Sequence, residues 1–235
     1  MMRFRVLLLV GLLLTAPAWA QYWTSFADNT RYMALGDSLS AGYGAHPATQ
    51  GFVYQLYQSG VIDKVNNLLL CNVGVPNAMS QDVLDYQVPM VPLFFAETGA
   101  TYRKVITLTV GGNDLLLGEA GLYTIIDNLP KILGQLAQSF PFAHVYVSNI
   151  YDPGLGPQVA ALVQFANGVI AQVVQGFNSQ PPKTPVTLVD IFSAFDGRSG
   201  LLLAERRGAE PGQVHPTNAG YEVMAKTFAD AIKAH

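Results

Sequence analysis

Five short runs, β-branched or otherwise apolar, alternate with longer segments of helical periodicity along this 235-residue chain. The runs are Tyr32–Leu35, Leu68–Val73, Val105–Val110, Val145–Asn149 and Val186–Ile191. Several are apolar at consecutive positions, which suits strands buried on both faces and so a parallel sheet covered by helices on each side. Between them, helices are expected over Gly51–Ser59, Ser80–Gln87 and Tyr123–Gln138. Pro157 opens another, with Val159, Leu162, Ala166, Val169, Val173 and Phe177 on one face. Thr217 caps a last helix with Tyr221, Met224, Phe228 and Ile232 turned inward. Strand–helix alternation without repeats or linkers points to one α/β sandwich domain.

The N-terminus reads differently. Arg3 and Arg5 precede a nine-residue apolar run, Val6–Leu14, and Ala18 and Ala20 form an A-x-A site. This is the pattern of an export signal, with cleavage expected after Ala20 and a domain of residues 21–235. The run is shorter than the roughly 20 apolar residues of a membrane span, and no stable span is expected in the mature chain. Without Arg3 and Arg5, 11 basic residues face 16 acidic ones, a net charge of −5. A nucleic-acid partner is therefore not expected. Cys71 is the single cysteine, so no internal disulfide forms; it falls in an apolar strand pattern, as a buried inert thiol does. His46, His144 and His235 have no metal-ligand spacing, and no P-loop or dinucleotide fingerprint occurs, so neither metal nor cofactor is expected.

Ligands of parallel α/β folds bind beyond the carboxyl ends of the strands. Gly36-Asp37-Ser38-Leu39 follows the first run, Asn72-Val73-Gly74-Val75-Pro76-Asn77 ends the second, and Gly111-Gly112-Asn113-Asp114 follows the third. Val214-His215-Pro216 stands just before the last helix. A serine, amide groups and a histidine thus fall where a site would form. A serine hydroxyl needs a base to become a nucleophile, and imidazole titrates in the right range. Acyl transfer builds charge on a carbonyl oxygen, where each fixed N–H donor is worth roughly 3–4 kcal/mol. The apolar segments Pro89–Phe95 and Leu115–Leu117 read either as core or as an acyl-chain pocket or flap.

Together these blocks resemble the GDSL/SGNH hydrolase superfamily of esterases and lipases, over most of the chain from Arg31 to the last helix. The resemblance implies a flavodoxin-like α/β/α sandwich with a mostly parallel five-stranded sheet. It implies a serine esterase or lipase-like hydrolase acting on small-molecule or lipid esters, which the export signal would place in the periplasm or outside the cell. Ser38 is then the nucleophile, His215 the general base, and Asn113 lines the oxyanion hole. Two positions depart from the family pattern. Its N-x-x-x-x-G block places Asn77, counted from Asn72, where a glycine N–H serves as second oxyanion donor; Gly74 is the alternative under another threading. Its D-x-x-H block has Gly212 at the aspartate position. Glu210 is the nearest carboxylate; otherwise a backbone carbonyl or water holds the imidazole and a Ser–His dyad remains. Asp37 and Asp114 are expected to be structural. The same resemblance leaves room for a carbohydrate-ester deacetylase, and the Gly212 departure for a binding protein that has lost turnover.

Overall fold

The computed structural model describes residues 29–63, 67–96, 102–139, 143–179, 184–202 and 215–235. The expected signal segment, Glu210 and Gly212 lie outside the described residues.

Five strands form one parallel sheet: β1 (Thr30–Gly36), β2 (Leu68–Asn72), β3 (Lys104–Thr109), β4 (Ala143–Ser148) and β5 (Val186–Val189). Their order is β2-β1-β3-β4-β5, with every pairing parallel. The central strands β1 and β3 are buried along their whole length, their polar residues Arg31, Lys104, Thr107 and Thr109 included. The edge strands β2 and β5 are only partly covered. Cys71 is therefore half-buried rather than enclosed, a consequence of its place on an edge strand; burial still raises its thiol pKa.

The connecting helices are α1 (Ser38–Ala41), α2 (Phe52–Gln58), α3 (Ser80–Asp82), α4 (Met90–Phe95) and α5 (Gly112–Leu115). They continue with α6 (Glu119–Ser139), α7 (Pro157–Asn178), α8 (Ile191–Phe195) and α9 (Asn218–Lys233). The expected helix over Ser80–Gln87 is one turn of α3 followed by a π-helical stretch, Val83–Gln87. On one side of the sheet α2, α8 and α9 pack through Phe52, Ile191, Met224 and Phe228, with Phe52 and Phe228 stacked at 4.9 Å. On the other, α4, α6 and α7 pack through Phe95, Leu129, Ile170 and Val174. In Pro89–Phe95, Val91 and Phe95 are core, buried against that second side, while Met90 and Leu93 face outward and none of the segment lines the cleft beside Ser38.

The inward face of α9 is the expected one, and Thr217 Oγ1 caps it by accepting from Gly220 N–H at 3.2 Å. The face of α7 is the expected one only in part. Ala166 is buried as expected, and Val159, Leu162, Val173 and Phe177 pack half-buried against the core, but its centre is shifted to Val163, Ile170 and Val174. Apolar residues surround most of this helix, and it has no Asp, Glu, Lys or Arg, so periodicity did not centre the packed face. Among the described residues α7 alone has the length and composition of a membrane span, but its inner face packs on α6 and β5.

In a sheet of this order the chain direction reverses outward on either side of the gap between β1 and β3, where a crevice opens above the strand ends. Ser38 follows β1 and Asn113 follows β3, so the two flank that crevice.

Candidate active site

Ser38 stands at the first position of α1, on a turn built for close approach. Gly36 has φ 134°, and a Cβ there would lie 2.1 Å from the Thr109 carbonyl oxygen, so only glycine lets β1 end so tightly against β3. The buried Gln87 side chain clamps the same residue, donating to Gly36 O at 2.8 Å and accepting from Gly36 N–H at 2.7 Å. Asp37 caps α1 by accepting from Leu39 N–H at 2.9 Å and also accepts from the Thr109 hydroxyl at 3.0 Å. Burial pushes the Asp37 carboxyl up to about 6, against the pull of those donors.

The structure brings His215 to Ser38 across 177 residues of sequence, with Nε2 2.8 Å from the serine Oγ. Burial lowers the His215 pKa below its usual 6.5, which favours neutral imidazole at pH 7. With Nε2 accepting from the hydroxyl, the proton of the neutral ring sits on Nδ1. That Nδ1 is buried and has no hydrogen-bond partner among the described residues. Asp190 does not fill the role: it caps α8, accepting from Ser193 N–H at 3.1 Å and from Asn149 Nδ2 at 2.6 Å. What touches the imidazole is Tyr43, whose ring lies 4.6 Å away, tilted by 51°. Its backbone is pinned at both ends: Tyr43 N–H donates to Ser38 O at 2.9 Å, and Tyr43 O accepts from the buried Tyr221 hydroxyl at 2.8 Å.

Asn113 enters on α5 and donates one Nδ2 hydrogen to Ala78 O at 2.9 Å, leaving its second N–H for a ligand. Asp114 secures the same junction, accepting from Ser80 N–H at 2.9 Å and from Ser80 Oγ at 2.6 Å. Asn77 immediately precedes Ala78 and has φ 66°, a left-handed backbone that asparagine tolerates better than most residues. The alternative is spent elsewhere: Gly74 N–H donates to Asn72 Oδ1 at 3.1 Å. Gly74 instead lets the β2 loop press on α1, since a Cβ there would meet Ser40 Cβ at 2.6 Å.

Ser38, Asn113 and His215 open into one cleft of about 760 Å³, counted to the bulk solvent. Its farther wall comes from the β4–α7 loop and the start of α7, including Asn149, Ile150, Leu155, Val159 and Val163. Sequence reasoning passed over these residues, and over Tyr43. The signal for the first group was present, because they follow the fourth apolar run as the other site blocks follow theirs. Tyr43 carried none, since its contact with His215 is long-range.

A covered parallel sandwich with a serine–histidine pair at the β1/β3 switch point defines the SGNH class of hydrolases. The chain belongs to the GDSL-like Lipase/Acylhydrolase family, whose model matches residues 34–223. It is 25% identical over 221 residues to the spore germination lipase LipC of Bacillus licheniformis, covering 86% of this chain and 95% of that one. Among solved structures it is similar to the lipase Lip_vut3 from a goat rumen metagenome (TM-score 0.65, 23% identity, 86% of this chain and 97% of that one). It is similar in fold to the acetylxylan esterase Axe2 of Geobacillus stearothermophilus (TM-score 0.61, 16% identity, 88% and 96%). The family 3 carbohydrate esterase of Clostridium thermocellum is a further fold relative (TM-score 0.65, 17% identity, 88% and 98%).

Proposed function

We propose that this chain is an exported serine esterase that cleaves carboxylic esters through an acyl-enzyme on Ser38. The observation that carries the reading is the 2.8 Å approach of His215 Nε2 to Ser38 Oγ inside an open cleft. Neutral His215 takes the hydroxyl proton as Ser38 Oγ attacks the ester carbonyl. The free N–H of Asn113, with the backbone N–H groups of Asn77 and Ser38, meets the charge on the carbonyl oxygen. Imidazolium then gives its proton to the departing alkoxide, and the ester C–O bond breaks to leave the acyl group on Ser38. Water attacks in turn, with His215 again as base, releasing the carboxylic acid and restoring the serine.

The imidazolium formed in each step is held by packing against Tyr43, and any carboxylate from Glu210 would add to it. A missing carboxylate lowers the rate without removing the chemistry, because attack, proton transfer and oxyanion binding remain. The test is turnover of p-nitrophenyl esters by the purified mature chain and by Ser38→Ala. Turnover by the wild type with a loss of at least 10³-fold in the variant is expected; equal turnover overturns the reading. Export is tested separately: the mass of secreted protein is expected to begin at Gln21, and a chain beginning earlier contradicts cleavage after Ala20.

A further inference from the structure

The cleft has two ends of opposite character. At one, Ser38, Asn113 and His215 gather their polar atoms. At the other, Leu115, Leu116, Ile150, Leu155, Val159 and Val163 form an apolar arm. Its floor is buried core: Leu115 and Val163 belong to a separate apolar cluster with Leu122 and Ile125. Its rim is open, with Leu116 56% and Leu155 38% exposed.

Most polar groups within the arm already hold partners in the fold. Ile150 N–H donates to Asn167 Oδ1, and Ile150 O accepts from Asn167 Nδ2, both at 2.8 Å. Asn149 Nδ2 donates to Asp190 at 2.6 Å, and Asn149 Oδ1 accepts from Phe192 N–H at 2.8 Å. A sugar ring placed here would bury hydroxyls against few free partners, which costs about 1–3 kcal/mol for each one left unpaired. A hydrocarbon chain loses nothing by the same contacts.

The side on which the arm lies decides which half of the ester enters it. His215 precedes α9, which packs with α2 and α8 on one side of the sheet. The arm is built from α5, the β4–α7 loop and the start of α7, and α7 packs with α6 on the other side. Because His215 protonates the leaving oxygen, the alcohol departs toward the α9 side. The acyl carbon chain then runs the other way, past Asn113 and into the arm.

We infer that the α5–α7 arm is an acyl-chain subsite, making the preferred substrates esters of medium-length straight-chain fatty acids rather than acetylated sugars. The inference rests on the serine-esterase reading given above.

The experiment compares kcat/KM for p-nitrophenyl acetate, butyrate, hexanoate and octanoate, and for acetylated xylo-oligosaccharide, on the purified mature chain. Each methylene that enters the arm is expected to raise kcat/KM up to about fourfold, from about 0.8 kcal/mol per buried CH2. Octanoate then exceeds acetate by at least tenfold. Val159→Trp fills the arm from the first turn of α7 and is expected to reduce the octanoate-to-acetate ratio at least tenfold. Leu155→Asp places a charge on the exposed rim, where folding is not at stake, and is expected to reduce the same ratio. A parallel series varying the alcohol of a butyrate ester is expected to show no comparable gain. Fluorophosphonate labelling of Ser38 runs alongside. Labelled enzyme that prefers acetate or acetylated xylo-oligosaccharide, or follows the alcohol, overturns the acyl subsite and leaves the esterase reading standing. Absence of both labelling and turnover overturns the esterase reading, and this inference with it.

Discussion

Asp37 is a carboxyl held where a charge is poorly tolerated, and its removal has a magnitude that follows from the structure. The residue is 4% exposed, and burial raises its pKa from 3.8 to about 6, while the Leu39 N–H and Thr109 hydroxyl pull it down. The unfolded chain ionises this group from pH 3.8 upward; the folded protein resists until about 6. Folding therefore takes up a proton in that window. Asp37 costs nothing below 3.8, an increasing amount between 3.8 and 6, and a constant amount above. At 1.36 kcal/mol per pH unit the plateau is roughly 3 kcal/mol. Asp37→Asn keeps the Oδ1 acceptor for Leu39 and Thr109 and abolishes the titration. Its new amide hydrogens add a cost of about 1–3 kcal/mol if unpaired, but one that does not vary with pH. Urea unfolding of both proteins at pH 4 and pH 7.5 isolates the effect, because all other titrating groups cancel. The variant-minus-wild-type stability is expected to move in the variant's favour by roughly 2–3 kcal/mol over that range. A difference flat to within about 0.5 kcal/mol, the scatter of additive sites, refutes the assignment of a strained buried carboxylate.

Other outcomes follow from the same geometry. Tyr43→Phe is expected to retain most activity, whereas Tyr43→Ala lowers kcat on the order of tenfold through misplacement of the imidazole. In the alanine variant the acid limb of the pH profile also shifts up toward 6.5, because the ring that helps bury His215 is gone. An unchanged profile would mean that Tyr43 does not position the base. In the wild type, kcat/KM against pH is expected to bend below 6.5, since only neutral His215 accepts the serine proton and burial lowers its pKa. Asp37 titrates close by, so the profile is recorded in the Asp37→Asn background; a bend above 6.5 there contradicts the assignment. Gly74→Ala drives a methyl into Ser40 and the Ala41 backbone nitrogen, at 2.6 and 2.7 Å. Thermal or urea unfolding is expected to show a loss of about 1–3 kcal/mol, with reduced turnover because α1 carries Ser38. Ser80→Ala removes one donor from the buried Asp114 carboxylate, and urea unfolding is expected to show a loss of about 1–3 kcal/mol.

The strands were legible because their apolar runs are short and bounded by glycine or polar residues, and all five lie within a residue or two of their expected limits. The packed face of α7 was legible only in part, at Ala166 and its flanking residues, because a helix apolar on most sides gives a weak preferred direction. α6 begins at Glu119 rather than Tyr123 because its first turn packs directly on α5; a Cβ at Gly121 would lie 1.7 Å from Asp114 O. The candidate site was readable at Ser38, Asn113 and His215 as positions that converge on one cleft, since each follows or precedes an element whose type was clear. Their convergence depends on strand order, which no local spacing encodes. Nor does spacing encode the Tyr43–His215 contact or the pairing of Ile150 with Asn167 beside the cleft. Both arise from partners far apart in the chain. Gly212 was visible as a departure from the D-x-x-H pattern, but what faces His215 Nδ1 in its place depends on tertiary packing.

The central claim is that Ser38, activated by His215, is the nucleophile. Intact-mass and peptide mass spectrometry after reaction with a fluorophosphonate tests it most directly. A single adduct on the peptide containing Ser38, absent in Ser38→Ala and formed much more slowly in His215→Ala, is the predicted result. An unmodified protein, an adduct on another residue, or labelling of Ser38 at the same rate without His215 would contradict it.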